Sequence, residues 1–271
     1  RYLHVMVYGE FAIKTTTDLA KEVINLLPKN HESIYFTNSG TEAIEGSIKL
    51  VKKATKRSKI IAAKNSYHGS TYGSLSLLGK KKQKTGYYPM MPDVRFIKFN
   101  SYSDIKKIDY KTAGVILETI QGGAGFILPK KGYLKKVKER CEKVGALLIL
   151  DEIQPGFGRT GNFFEFENHN ISPDILVMGK GMGGGLPMGA FSSSKKLMKL
   201  FERNPRLGHI TTFGGNPLVS ASALATIKEI KETRLLYEIA FPWSCSRSFS
   251  RFPKKYPFWC GFSPYLKGGF P

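Results

Sequence analysis

The feature that most constrains this chain is the alternation of short apolar runs with amphipathic stretches. Ser33 to Thr37 reads as a strand. The residues after it place Ala43, Ile44, Ser47, Ile48 and Val51 on one face of a helix, at three- and four-residue spacing. Further strands are predicted at Lys59 to Ala63, Val94 to Phe99, Ala113 to Glu118, Ala146 to Leu150 and Ile175 to Met178. Helices are predicted at Tyr133 to Val144, Ser194 to Phe201 and Pro217 to Thr233. Nearly continuous apolar strands are those covered on both faces, so the expected fold is α/β, a mostly parallel sheet with helices on both faces. A chain of 271 residues with 41% hydrophobic types is long enough for one large domain of this kind or two small ones. Ligands in such sheets bind beyond the carboxyl ends of the strands.

Composition closes off several classes. No apolar run approaches the roughly 18 residues of a membrane span. Cys141 is the only cysteine before the tail, which excludes a disulfide framework in the body and suits a reducing cytoplasm. The net charge of +21 comes from clusters such as Lys52, Lys53, Lys56 and Arg57, Lys80 to Lys82 with Lys84, and Lys135, Lys136 and Lys138. Such a field attracts nucleic acid or anionic membranes non-specifically, but no aromatic interleaving or recognition motif accompanies it, and solvated helix faces are the expected reading. The first residues, Arg-Tyr-Leu-His-Val, read as the interior of a longer protein. From Leu236 onwards the periodicity stops: both tryptophans, Cys245 and Cys260 crowd into a stretch with Glu238 as its sole acidic residue. That tail is expected to be frame-shifted or foreign, or else a loop-rich extension. Its cysteines have no CxxC partner and no nearby histidine, so no metal site is expected.

Four segments carry candidate chemistry. Ala146 to Leu150 is an apolar run that delivers Asp151 to a strand end. A carboxylate there could keep a pyridinium ring nitrogen protonated, cap a turn, or hold magnesium. Ile175 to Met178 leads into Gly179-Lys180-Gly181. Glycines let a bulky group approach the backbone, and a buried lysine can lose its proton and attack an aldehyde, although a flexible loop with a surface lysine fits this segment equally. The order GxxxxGK[ST] is absent, so this is not a phosphate loop of that kind. Asn38-Ser39-Gly40-Thr41-Glu42 opens the first helix, where Ser39 and Glu42 suggest a capping box and the free N–H groups an anion site. Tyr67-His68-Gly69 offers an aromatic face.

Taken in order, these segments resemble the class III aminotransferases, the group with acetylornithine and ornithine aminotransferases. The resemblance runs from about Tyr2 to Leu236. It rests on NSGTEA at Asn38, YHG at Tyr67, E-x-x-QG at Glu118, DEIQPGFGRTG at Asp151, GKGMGGGLPMGA at Gly179 and TTFGGNP at Thr211. It implies the large domain of a fold type I enzyme dependent on pyridoxal 5′-phosphate (PLP), over residues 1–236 and lacking its N-terminal part. Residues 237–271 would then stand where a small C-terminal domain is expected. It implies transfer of an amino group between an amino donor and a 2-oxo acid, with Lys180 as the Schiff-base lysine and acid/base. Asp151 would pair with the ring nitrogen, Gln154 would approach the ring hydroxyl, and Tyr67 would stack on the ring, with His68 and Glu118 close by. Gly40 and Thr41 would hold the phosphate. Thr212 would reach the phosphate of a neighbouring subunit, which implies a homodimer with shared active sites.

The departures matter for substrate. Acetylornithine enzymes carry Arg directly after the aromatic-His-Gly, where Ser70 stands here; a hydroxyl cannot reproduce bidentate guanidinium bonding. The family's EPxQGEGG is ETIQGGAG, with Thr119 for the proline and Gly123 for the glutamate that helps ornithine-type enzymes alternate between substrates. Arg159 could serve a carboxylate or fix its own loop. A catalytically inactive remnant, or a basic nucleic-acid-binding protein on the same scaffold, remain the alternatives.

Overall fold

The protein is described by a computed structural model covering residues 12–206, 208–237 and 239. The N-terminal start and, apart from two residues, the expected tail at 237–271 lie outside the described residues. The strands are β1 (Ser33–Thr37), β2 (Lys59–Ala63), β3 (Val94–Ile97), β4 (Thr112–Glu118), β5 (Leu147–Asp151), β6 (Ile175–Gly179) and β7 (Gly189–Ser193). The helices are α1 (Lys14–Asn25), α2 (Gly40–Thr55), α3 (Tyr72–Ser76), α4 (Tyr133–Val144), α5 (Lys195–Met198) and α6 (Pro217–Glu232). Among the described residues the strands make one sheet in the order β1-β7-β6-β5-β4-β2-β3. The neighbours from β6 to β3 all pair in parallel, and β7 runs antiparallel to both β6 and β1.

Successive side chains of a strand point to opposite faces, and here both faces are apolar. Ile61, Val115, Leu117, Leu148, Leu150, Leu176 and Met178 pack with α1, α4 and α6 through Leu19, Val23, Val137, Cys141 and Ile227. Their sequence neighbours Ile60, Ile116, Ile149, Ile175 and Val177 pack on the other face with Ala43, Ile44, Ile48 and Val51 of α2. Each large side chain buried this way contributes about 1.5–3 kcal/mol, which is why the central strands read as unbroken hydrophobic runs.

The expected fold class is the observed one, with four local corrections. The strand predicted to Phe99 ends at Ile97, because the Asp104 carboxylate takes the Lys98 N–H at 2.8 Å and Asn100 adopts a left-handed φ of 64°. The strand before the site runs to Asp151 itself, one residue beyond the expected Leu150. The helix predicted from Ser194 to Phe201 is one α-helical turn, α5, followed by a 3-10 turn at Lys199–Glu202. Helices α1 and α3 and strand β7 were not predicted. Strand β7, Gly-Ala-Phe-Ser-Ser, has none of the β-branched residues that mark a strand, and sheet pairing on both sides makes it one regardless.

Candidate active site

Asp151 and Glu118 are the last residues of β5 and β4 and stand opposite one another in the parallel register. Alternation puts both on the α2 face, next to the N-terminus of that helix. Asp151 is 4% exposed. One of its oxygens meets His68 Nδ1 at 2.7 Å, and the other accepts the Ile153 N–H at 3.0 Å. The His68 ring is buried, and its Nε2 has no partner. The Glu118 carboxylate accepts the Tyr67 N–H at 3.2 Å and the Gly122 N–H at 3.1 Å. Burial lifts the Glu118 carboxyl to about 7; the negative charge of Asp151 adds to this and His68 opposes it.

Helix α2 points its N-terminus at the same place. The first N–H groups of a helix have no intrahelical acceptor and carry partial positive charge. Ser39 caps the helix by accepting the Glu42 N–H at 3.4 Å, while Glu42 reaches back to the Asn38 N–H at 2.7 Å. The expected box is thus displaced by one residue, its return bond going to Asn38 instead of Ser39. Gly40 allows close packing: a Cβ there would come within 2.6 Å of Ile153 Cδ1. Thr41 Oγ1 lies 2.7 Å from Thr71 Oγ1 and 2.8 Å from Ser74 Oγ, and the Glu45 carboxylate anchors the cluster through the Thr71 hydroxyl and the Ser74 N–H.

Lys180 follows β6 directly and opens a 3-10 turn, with φ at 48°. A left-handed φ on a residue with a side chain costs about 1–3 kcal/mol and persists only where its surroundings impose it. Here Gly179, where an added Cβ would lie 3.3 Å from the Gly40 Cα, and the glycines that follow supply the freedom around it. Of the two readings of this segment, a buried lysine and a surface one, the second holds for exposure: Lys180 is exposed, yet it lines the cleft.

All the predicted site residues except Thr212 line one cleft of about 280 Å³: Gly40, Thr41, Tyr67, His68, Glu118, Asp151, Gln154 and Lys180. Tyr67 forms one lip, half-exposed, with its hydroxyl 3.1 Å from Ser70 Oγ. Gln154 packs its carboxamide against Gly122 on the other side. Thr212 is exposed and lies outside the cleft.

Sequence reading missed Glu45, Thr71 and Ser74, which support Thr41, and also Glu152. Glu152 is fully buried on the opposite face from Asp151 and accepts the Phe166 N–H at 2.8 Å and the Glu165 N–H at 3.1 Å, closing the loop that carries Gln154. Burial lifts its carboxyl to about 8. Adjacency to Asp151 at a strand end was the available signal, since neighbouring residues there must face opposite sides.

The cleft suits a flat, phosphorylated, pyridine-type group: a carboxylate and an unpaired buried imidazole nitrogen at one end, free helix N–H groups at the other, and an amine at the mouth. Residues 2–241 match the family described as Aminotransferase class-III. The chain is 40% identical over 226 residues to a LysW-aminoadipate semialdehyde/glutamate semialdehyde transaminase of Sulfurisphaera tokodaii, covering 83% of this chain and 58% of that protein. It is 39% identical over 219 residues to an acetylornithine aminotransferase of Methanopyrus kandleri, covering 80% and 56%. Among solved structures, an aminotransferase from Bacillus anthracis superposes with a TM-score of 0.82 at 30% identity, over 90% of this chain and 61% of the other. The ornithine aminotransferase of Toxoplasma gondii gives 0.80 at 28%, over 86% and 57%. The chain therefore spans somewhat more than half the length of each of these proteins.

Proposed function

The chain belongs to the class-III aminotransferases, a PLP-dependent family, and from that premise we propose that its protein moves an amino group between an amino donor and a 2-oxo acid with PLP held in this cleft. The observation that supports this most is the meeting of Lys180, the Asp151–His68 pair and the α2 N-terminus in one cavity, though they come from sequence segments far apart. When bound, the cofactor supplies an aldehyde for amines and a ring that takes up the electron pair left as a substrate Cα loses its proton.

The rest is work for this chain's own side chains. Lys180 is the covalent anchor, and its Nζ, once released, carries the proton on and off the substrate Cα. Asp151, held by His68 and by the Ile153 N–H, keeps a proton on a ring nitrogen beside it. Gly40 and Thr41 receive phosphate at the helix N-terminus, where backbone N–H groups and the helix dipole favour an anion. Tyr67 would cover one face of the ring and Gln154 would approach its hydroxyl, both side chains lining the cleft. The described residues from 12 to 236 are assigned to the cofactor-binding domain. The enzyme works in the cytoplasm, a reading that the free buried thiol of Cys141 supports.

Thr212 serves the phosphate of a second copy in a homodimer with shared sites. Its exposure outside its own cleft supports this, as do the exposed Tyr72, Tyr87, Tyr88 and Ile210. Mixing a Lys180→Ala chain with a Thr212→Ala chain should restore part of the activity that each homodimer lacks. Hybrids no more active than their parents would remove the shared-site assignment.

The direct test of the reaction is to incubate the protein with PLP, a panel of amino donors and 2-oxoglutarate, following glutamate formation. Transfer that Lys180→Ala abolishes is expected. A protein that holds the cofactor but transfers no amino group from any donor would overturn the proposed activity.

A further inference from the structure

We propose that Glu118 is a positioning residue: its ionised carboxylate ties the turn carrying Tyr67 and His68 to the turn carrying Gly122, and so fixes both lips of the cleft. The first turn leaves β2 and the second leaves β4, and Glu118 bonds to a backbone N–H of each at the end of β4. Glu118 Oε2 takes the Tyr67 N–H and Oε1 takes the Gly122 N–H, so each carboxylate oxygen holds one turn.

The second turn needs such an anchor. Its sequence Gly122-Gly123-Ala124-Gly125 has little to pack, and glycine-rich backbone loses the most conformational freedom on ordering. Its internal bonds, from the Gly125 and Phe126 N–H groups to the Gly122 carbonyl, fix the shape of the turn. Paired backbone bonds between Gln121 and Ile127 close its base, Gln121 also donates to the Lys64 carbonyl, and Lys80 Nζ reaches the Gly123 carbonyl at 3.4 Å; Glu118 is the anchor that holds the Gly122 N–H. Gly122 packs against the Gln154 carboxamide, so closely that a Cβ there would overlap its Oε1, and a shift of Gly122 therefore bears on Gln154. Through two backbone bonds Glu118 thus sets Tyr67 on one lip and Gln154 on the other.

Charge state decides whether the strap is complete. A carboxylate accepts at both oxygens, whereas a protonated carboxyl turns one oxygen into a donor and sets it against an N–H. The titratable groups facing Glu118 are His68 from the turn after β2, Asp151 from β5, and Tyr67 and Lys180 around the same cleft. Burial and Asp151 bring the carboxyl to about 7, with His68 opposing, so the strap changes state near neutrality.

Amide exchange of the apo protein, corrected for intrinsic rates, tests this without any ligand. Protection of the Tyr67 and Gly122 amides should fall about tenfold together between pH 8 and pH 6, following the ionised fraction. In Glu118→Gln both should already be low at pH 8 and flat with pH, with α4 and β5 unchanged. Flat protection in the unsubstituted protein, or full protection in the variant, would overturn the proposal.

A second arm rests on the cofactor reading above and uses pyridoxamine phosphate, which cannot condense with Lys180. Its dissociation constant should rise about tenfold more between pH 8 and pH 6 in the unsubstituted protein than in Glu118→Gln, since the probe's own titration is common to both. Equal pH dependence in the two proteins would overturn the positioning role. Exchange behaving as expected, with no pyridoxamine phosphate bound at any pH, would support the strap and overturn the cofactor reading instead.

Discussion

At the scale of single residues, the cleft depends on buried polar groups whose partners are specific. Among the described residues His68 is the only side chain paired with Asp151, whose other oxygen already holds the Ile153 N–H. Replacing His68 with Phe strands a buried carboxylate oxygen and should cost about 1–3 kcal/mol, read as a lower urea midpoint at unchanged slope. It should also weaken cofactor retention. A variant as stable as the parent would show that the pair contributes nothing to the fold. The residues that carry chemistry were legible in the sequence as strand-end and turn motifs, because Asp151, Lys180 and Gly40 sit where short apolar runs stop. Their supports were not: Thr71, Ser74 and Glu45 meet Thr41 only through folding, and nothing in their own segments marks them.

At the scale of elements, legibility followed burial. Helix α4 was readable because its apolar residues recur along one buried face, and strands β4 and β6 because both their faces are covered; α4 begins and ends where the sequence predicts. Strand β7 was unreadable because its small residues acquire strand geometry from β1 and β6, which lie on either side of it. One side chain fastens three elements at the far end of the sheet. Arg57, just past α2, donates to the Thr112 carbonyl at 3.0 Å and to the Val144 and Gly145 carbonyls at 2.9 Å each, tying the start of β4 to the end of α4. All three bonds come from Nη1; Arg57→Lys keeps the charge but removes that nitrogen, and should destabilise by about 1.5–3 kcal/mol. The melting temperature should fall by several degrees, with amino-transfer kinetics of the folded protein unchanged. A shift within error would mean that these bonds merely replace bonds to water.

At the scale of the whole molecule, stability should depend on pH with opposing contributions. Burial holds His31 below its ordinary value; the stability linked to it is present above about pH 6.5 and lost as pH falls. Glu118 and Glu152 are raised, to about 7 and about 8. Their contribution is complete below about pH 4.5 and is lost as pH rises through those values. Between about 4.5 and 6.5 the two effects partly cancel; from about 6.5 to 8 only the carboxyl effect remains, so stability should decline there. In Glu152→Gln, which cannot ionise, the decline should be shallower even if the variant is less stable at pH 6. Equal slopes in the two proteins would show that Glu152 keeps an ordinary carboxyl. The sum of +21 was legible from composition, but the shifts were not, because they arise from depth in the fold.

Whether Lys180 anchors the cofactor in this cleft can be read from the site at which borohydride fixes it. The protein is incubated with PLP, reduced with borohydride, digested, and its peptides are weighed. The account predicts a yellow band that borohydride bleaches, with a reduced adduct on the peptide containing Lys180 and neither in Lys180→Ala. An adduct spread over surface lysines, or one that persists in Lys180→Ala, would contradict it.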